Sequence, residues 1–301
     1  MDRRHLLAAL LALAATPAPT PASAQPRGRR QPLPFDPTIA AIERKYGGRL
    51  GVFALDTATR KTMAWRPDER FNMCSTFKLL LAAQLLAKVD AGGESLSRKL
   101  FYGPGDLLPA SPVTTRHAEE GALGIAVLAR ASVEVSDNTA ANLLLRALGG
   151  PAALTRFVRT LDDEATRADR YEPDCNQYDP LLDTTTPRAM ILTTRRILLG
   201  RVLSENSRRM LEGWMIASST GDARLRSALP RGWSAGVKTG TSTARHTNDV
   251  GIVRPPGRRP LLIAAYYDAP RVSLSEREQV MREVGNAFVT WFGGGARPAP
   301  Y

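Results

Sequence analysis

Strand-like patterns of apolar and polar residues occur in two widely separated parts of the chain. Residues 49–56 alternate as a β-strand does, and residues 61–65 follow after a short turn as a hairpin partner. Three segments near the other end are also strand-like, namely 233–239, 248–253 and 261–267. We therefore expect the first and last thirds of the chain to share one antiparallel sheet.

Between these strands the apolar positions follow helical spacing. Residues 76–89 are apolar nearly all round, which is typical of a helix buried at the centre of a domain. Residues 138–148 form a second helical segment that ends at two glycines, and Pro151 and Pro187 each begin another helix. The middle of the chain is thus predicted to be helical.

Helices are also predicted at both ends. A short one begins after Asp36 and stops at Gly47, and the last opens with a capping box of Ser275 and Glu278. The order of elements predicts two lobes. Residues 36–66 and 222–301 would form an α/β lobe, and residues 67–221 a helical lobe.

The first 24 residues have the pattern of a cleavable export signal. A short basic stretch precedes the apolar run 6–15, and Ala22-Ser23-Ala24 is typical of a cleavage site. Arg3-Arg4 also fits a twin-arginine signal, so both export routes remain open. Residues 25–35, rich in proline and arginine, predict a disordered spacer. We expect a periplasmic protein with no membrane segment after cleavage.

Composition excludes several classes of function. The formal net charge is +12, but the arginines are scattered and not interleaved with stacking aromatics, which disfavours a nucleic-acid partner. Two cysteines and three histidines provide neither a disulfide framework nor a cluster of metal ligands. We therefore expect no metal and no other cofactor.

Four short segments supply one set of chemical groups. They are Ser75-Thr76-Phe77-Lys78, Ser136-Asp137-Asn138, Arg170-Tyr171-Glu172-Pro173 and Lys238-Thr239-Gly240. A serine hydroxyl is a weak nucleophile until a base takes its proton, and a lysine three residues later on a helix lies on the same face. Alone, the first segment would fit a helix-capping serine with a surface lysine. Together with the other three, it indicates a serine nucleophile.

This set, in this order, resembles the class A serine β-lactamases. The resemblance covers nearly the whole chain after residue 24. It implies the two-lobed β-lactamase/transpeptidase-like fold, with an antiparallel sheet flanked by helices and a helical lobe. It also implies a monomer that hydrolyses the amide bond of penicillins and cephalosporins through a serine acyl-enzyme.

The resemblance assigns four catalytic residues. Ser75 would be the nucleophile, Ser136 would relay a proton to the departing nitrogen, and Glu172 would activate water for deacylation. Lys78 and Glu172 remain alternatives for the base that deprotonates Ser75.

Further residues would bind the substrate. They are Asn138, Asn176, Arg224, Lys238, Thr239, Gly240 and Thr241. Many members carry an arginine where this chain has Thr247. Arg224 matches the alternative arginine of other members, and a guanidinium fits a carboxylate bidentately, so we expect Arg224 to hold the substrate carboxylate.

The chain departs from the family pattern in its Ω-loop, residues 170–183. Only six residues separate Asn176 from Asp183, fewer than in common members, although Arg170 can still pair with Asp183 to close the loop. This shortening brings loop rigidity and side-chain selectivity into question. Ala110 stands where many members have an aromatic residue, which predicts a wider cleft mouth.

The two cysteines leave an alternative open. Cys74 adjoins the predicted nucleophile, and Cys175 lies on the loop expected to cover it. An oxidising compartment would permit a disulfide between them. Two separate buried thiols are the other interpretation.

Two other functions share part of this pattern. A D,D-peptidase or transpeptidase has the first, second and fourth segments, and a β-lactam-sensing domain acylates and then stops. Glu172 with Asn176 favours a hydrolase over both, because this pair can activate and hold a water molecule. A sensor would also need a membrane tether.

Overall fold

The computed structural model describes residues 36–293. The predicted export signal (1–24) and spacer (25–35) lie outside the described residues. The helices are α1 (Pro37–Tyr46), α2 (Phe77–Asp90), α3 (Pro112–Arg116), α4 (Ile125–Glu134), α5 (Asn138–Ala147), α6 (Gly150–Arg159), α7 (Pro187–Leu199), α8 (Glu205–Ile216) and α9 (Leu274–Gly293). The strands are β1 (Arg49–Asp56), β2 (Thr62–Trp65), β3 (Phe71–Asn72), β4 (Lys99–Phe101), β5 (Ala122–Gly124), β6 (Thr184–Thr185), β7 (Ser234–Thr241), β8 (His246–Arg254) and β9 (Leu261–Asp268). Across residues 36–293, no helix has both the length and the apolar character that crossing a membrane requires.

Strands from the two ends of the chain form one five-stranded sheet. Its order is β2-β1-β9-β8-β7, and every neighbouring pair is antiparallel. β1 pairs with β9 along its whole length, from Arg49 opposite Asp268 to Asp56 opposite Leu261. The prediction that the first and last thirds of the chain share a sheet is therefore confirmed.

The sheet is covered on both faces. In β9, Leu262, Ala264 and Tyr266 belong to a core shared with the central helices. The intervening Leu261, Ile263, Ala265 and Tyr267 belong to a second core with α1 and α9. Successive side chains of a strand point to opposite faces, so one strand contributes to both cores.

The central helices surround α2. All residues of α2 from Phe77 to Leu86 are buried, as its apolar character predicted, and α4, α5, α6 and α8 lie against it. The fold is an antiparallel sheet flanked by helices together with a helical lobe, which is the predicted fold class. The residue limits proposed for the two lobes stay a prediction.

The capping box of the last helix lies two residues before the predicted one. The Ser273 N–H donates to Glu276 Oε2 (3.1 Å), and the Glu276 N–H donates to Ser273 Oγ (3.3 Å). The choice of Ser275 and Glu278 was wrong because two overlapping Ser-x-x-Glu patterns fit the sequence equally well. Glu278 instead contacts Arg224.

Candidate active site

One cleft brings together residues from three of the four sequence segments, and Glu172 of the fourth contacts the cleft residue Ser75. Its volume is about 210 Å³. It is lined by Ser75, Ala110, Val135, Ser136, Asn138, Asn176, Thr220, Arg224, Thr239 and Thr241. These residues come from the segments before α2 and α3, the start of α5 and the segment before it, the Ω-loop, the segment between α8 and β7, and the C-terminal half of β7.

Ser75 lies in a single 3₁₀ turn, Cys74–Thr76, that leads directly into α2. Its hydroxyl donates a hydrogen bond to Oε1 of Glu172 at 3.2 Å. Nζ of Lys78 lies 3.0 Å from the same carboxylate oxygen. Ser75 and Lys78 therefore meet at Glu172, an arrangement that the three-residue spacing alone did not reveal.

The ammonium group of Lys78 is completely buried and fully hydrogen-bonded. Besides Glu172 it donates to Oδ1 of Asn138 at 2.6 Å and to the carbonyl oxygen of Ser136 at 2.8 Å. A lysine ammonium has three donors, and here each has an acceptor. The strong penalty for burying an unpaired charge is thereby avoided.

Glu172 is buried but held in its charged form. Burial alone would raise its pKa, but the charge of Lys78 and hydrogen bonds from Lys78, Cys175 and Asn176 outweigh it, so the pKa lies below the usual value. Nδ2 of Asn176 donates to Oε2 of Glu172. Oδ1 of Asn176 is buried and has no hydrogen-bond partner within the described part of the chain. The carboxylate is thus available as a proton acceptor.

The backbone of Glu172 is fixed by a residue that the sequence analysis missed. Nδ2 of Asn142 donates to the Glu172 carbonyl (2.9 Å), and the Glu172 N–H donates to Oδ1 of Asn142 (3.0 Å). Asn142 is one helical turn after Asn138 on α5 and is buried. A lone amide in a buried stretch of helix was the available signal, because such a group must find partners.

Ser136 occupies a strained backbone conformation between two lysines. Its φ is 60°, in the left-handed region that non-glycine residues seldom adopt. Its Oγ accepts from Nζ of Lys238 (3.1 Å) and lies 3.4 Å from Nζ of Lys78. Burial, followed by the charges of Lys78 and Arg224, lowers the pKa of Lys238 well below its usual value. Ser136 is therefore in contact with two groups that can exchange protons.

Asp137 holds this segment in place from inside the fold. Its carboxylate is fully buried and accepts from the N–H groups of Val113 (2.9 Å), Thr114 (3.0 Å) and Ala140 (2.8 Å). The last of these caps α5. The side chain thus fixes the two residues beside it, Ser136 and Asn138.

Gly240 has a packing reason to be glycine. A Cβ added there would lie 2.6 Å from the carbonyl oxygen of Met73 and 3.2 Å from Cβ of Cys74. Sequence analysis placed Gly240 among the residues that bind the substrate. In the structure, the missing side chain also lets β7 approach the turn that carries Ser75.

Arg224 lies beside Thr241 at the β7 side of the cleft. Its Nη2 donates to Oγ1 of Thr241 at 2.7 Å, and its Nη1 donates to the carbonyl oxygen of Gly240 at 3.2 Å. Nη2 also lies 3.3 Å from Oε1 of Glu278, which was not predicted. A second unpredicted lining residue, Thr220, accepts a hydrogen bond from Oγ1 of Thr239 at 2.7 Å.

The Ω-loop is closed by an ion pair and not by a disulfide. Nε of Arg170 lies 2.6 Å from Oδ2 of Asp183, which confirms the predicted pair. Cys74 and Cys175 are both buried free thiols, and burial raises the pKa of each above the usual value. The second of the two interpretations therefore describes this structure.

Comparison with known proteins gives a consistent result. The family model for the beta-lactamase enzyme family matches residues 34–292. A β-lactamase from Streptomyces albus G is 43% identical over 276 residues, covering 87% of this chain and 88% of that protein. The crystal structure of a β-lactamase from Burkholderia vietnamiensis has a TM-score of 0.85 and 56% identity, covering 86% of this chain and 97% of the other. The structure of an ancestral class A β-lactamase has a TM-score of 0.83 and 50% identity, covering 85% of this chain and 99% of the other.

Proposed function

The chain belongs to the class A β-lactamase family, and from that premise we propose that it hydrolyses penicillins and cephalosporins through an acyl-enzyme on Ser75. The observation that carries this proposal is the hydrogen bond from the Ser75 hydroxyl to the buried carboxylate of Glu172 (3.2 Å). It joins a potential nucleophile directly to a base that burial has not neutralised. We further propose that residues 1–24 direct the protein to the periplasm, where it acts as a monomer.

In acylation, Ser75 Oγ attacks the β-lactam carbonyl carbon as its proton leaves. Glu172 is favoured as the acceptor because it already receives this hydrogen bond. Lys78 is the alternative, once it has passed its own proton to the same carboxylate oxygen. The backbone N–H groups of Ser75 and Thr241 would stabilise the oxyanion. The carbon–nitrogen bond then breaks, and the ring nitrogen takes its proton from the Ser136 hydroxyl, which Lys78 or Lys238 can reprotonate.

The substrate carboxylate would bind at the β7 side of the cleft. Arg224 already donates to Oγ1 of Thr241, so a carboxylate there could accept from both residues. Thr239 and the charge of Lys238 would complete this binding site. On the opposite wall, Asn138 would hold the amide of the substrate side chain.

Deacylation needs a water molecule beside the ester. The Glu172 carboxylate would take a proton from that water, and the free Oδ1 of Asn176 would accept its second hydrogen. The hydroxide formed attacks the ester carbon, and Ser75 leaves and regains its proton. The pair of Glu172 and Asn176 therefore supports a hydrolase that completes its turnover, rather than a D,D-peptidase or a sensor that stays acylated.

Replacement of the base tests the proposal. In Glu172→Gln the amide cannot accept a proton, so we expect deacylation to slow by about 10³-fold, while acylation continues more slowly through Lys78. A covalent adduct of penicillin should then persist on Ser75, detected by intact-protein mass spectrometry and peptide mapping. Ser75→Ala should form no adduct and retain its fold by circular dichroism.

A matched control separates this role from a change in charge. Glu164→Gln makes the same chemical change at a side chain that is 83% exposed, and it should turn over a chromogenic cephalosporin as the unmodified protein does. Wild-type turnover by Glu172→Gln would contradict the assigned role, and an adduct on Ser75→Ala would exclude Ser75 as the nucleophile.

A further inference from the structure

The Ω-loop touches the turn between β7 and β8 through an aromatic side chain. The guanidinium carbon of Arg245 lies 3.7 Å from the centre of the Tyr178 ring. The His246 ring is stacked with Tyr178 at 6.0 Å between centroids and 23° between planes. A cation over an aromatic face and a stacked ring pair are both attractive. These three residues, Tyr178, Arg245 and His246, are called the Tyr178 clamp below.

The turn that receives Tyr178 is firmly held by the sheet and by α9. Nη2 of Arg245 lies 3.1 Å from Oδ2 of Asp268 at the end of β9. The His246 N–H donates to Oγ of Ser242 (2.9 Å), and Nη2 of Arg277 donates to the carbonyl oxygen of Thr243 (2.9 Å). The turn is therefore a fixed support for the loop.

His246 completes the clamp as a neutral ring. Its side chain is buried, and burial lowers its pKa to about 4 despite the opposing influence of Asp268. At neutral pH the imidazole is uncharged, so Arg245 is the cation that faces Tyr178.

On the loop side, Tyr178 lies between two braced positions. The carbonyl oxygen of Gln177 accepts from Nη2 of Arg170 (2.9 Å). Oδ1 of Asp179 accepts from the N–H groups of Leu181 (2.7 Å) and Leu182 (2.8 Å). A shift of Tyr178 would therefore move this part of the loop as a unit.

The clamp connects the two walls of the cleft. Asn176, which lines the cleft and contacts Glu172, precedes Tyr178 by two residues. Thr241, which lines the opposite wall, directly precedes the turn that carries Arg245. The distance between Asn176 and β7 thus depends on whether Tyr178 keeps its contacts with Arg245 and His246.

We propose that Tyr178 is a positioning residue for deacylation, which holds the shortened Ω-loop against the β7–β8 turn through Arg245 and His246. The inference rests on the proposed function. Loss of the clamp displaces Asn176, which holds the water, while Asn142 still fixes the backbone of Glu172, and the attack of water slows. Acylation is less affected, because Ser75 lies on the turn into α2, outside the loop, and Glu172, still bonded to Asn142, can accept its proton.

Steady-state kinetics distinguish this role from a general loss of structure. In Tyr178→Ala we expect kcat to fall about tenfold, because a small displacement of the groups that hold the attacking water slows the reaction. KM should fall in parallel, so that kcat/KM stays within about twofold, because the acyl-enzyme accumulates. Quenched-flow mass spectrometry should show more of the enzyme acylated during turnover. A fall in kcat at unchanged KM would overturn the proposal, since that result indicates a smaller active fraction.

Matched variants identify the contact responsible. Tyr178→Phe keeps the ring and should behave as wild type, whereas Tyr178→Leu keeps apolar bulk without a π face and should resemble Tyr178→Ala. Leu181→Ala removes an apolar side chain from the same loop, 60% exposed, and should leave kcat and KM unchanged. A wild-type acylated fraction in both Tyr178→Ala and Tyr178→Leu would refute the clamp.

Arg245→Gln tests the other half of the contact. It should slow deacylation, and combination with Tyr178→Ala should add little, because both changes break one interaction. Additive effects would show that Tyr178 and Arg245 act independently. If the wild-type protein does not hydrolyse penicillin and Glu172→Gln forms no adduct on Ser75, the proposed function itself fails. If the adduct forms and these variants deacylate normally, only the clamp fails.

Discussion

The pair of hydrogen bonds between Asn142 and Glu172 gives a prediction about both stability and rate. Asn142→Leu keeps the side-chain size but removes the amide that donates to the Glu172 carbonyl (2.9 Å) and accepts from its N–H (3.0 Å). Both residues are buried, so neither backbone group can turn to bulk water without movement of the loop.

The magnitude follows from the cost of unpaired buried groups. Each backbone group left without a partner costs about 1–3 kcal/mol, so the two together cost about 4 kcal/mol. A domain has roughly 5–15 kcal/mol of stability, so we expect the variant to remain folded but with its Ω-loop detached. Because 1.4 kcal/mol corresponds to a factor of ten, deacylation could fall by up to about 10³-fold.

Two measurements check the result. Urea unfolding should show a lower free energy of unfolding, and quenched-flow mass spectrometry should show accumulation of the acyl-enzyme on Ser75. Asn286→Leu is a matched control, because it makes the same change at an exposed position of α9 and should affect neither quantity. If Asn142→Leu has wild-type stability and a wild-type deacylation rate, the two bonds do not hold Glu172 in place.

Two further predictions concern Arg224 and His246. Arg224→Ala should raise KM for penicillins and cephalosporins by about 10–100-fold, because a charged hydrogen bond contributes about 1.5–3 kcal/mol. Arg224→Lys should recover only part of this loss. An unchanged KM in Arg224→Ala would show that another cation binds the substrate carboxylate. Folding lowers the pKa of His246 from 6.5 to about 4, so the unfolded chain binds a proton that the folded protein does not. The free energy of unfolding should therefore fall by about 3 kcal/mol as the pH drops from 6.5 to 4. In His246→Gln the free energy of unfolding, measured with urea, should vary less with pH between 6.5 and 4. A pH dependence identical to that of the wild type would refute the assignment to His246.

Much of the fold can be predicted from local patterns in the sequence. The segment predicted as a strand over 261–267 is β9 (Leu261–Asp268), and the apolar segment 76–89 is α2 (Phe77–Asp90). Both are long, nearly continuous apolar runs that bury most of their residues, so their apolar character reflects their tertiary position directly. The two-residue strands β3 and β6 were not predicted, because so short a pairing leaves no repeat to detect.

The site was predictable where a role depends on residue type and spacing. Ser75, Lys78, Ser136 and Lys238 lie together in the structure, and their chemistry follows from their side chains. Asn142 and Tyr178 were missed for a different reason. Each acts through a partner distant in sequence, and an asparagine in a helix or a tyrosine in a loop has no periodicity that reveals the partner.

The pairing of β1 with β9 has a consequence for synthesis of the protein. β1 ends at Asp56, but its partner β9 begins only at Leu261, so about two hundred residues must be translated before the two can meet. Until then β1 has only its hairpin with β2, and an isolated hairpin is marginally stable and exposes an open edge. We therefore expect the nascent chain to stay unfolded, and accessible to chaperones, until β9 has been made. Truncation before β9 should yield aggregates, not a smaller enzyme.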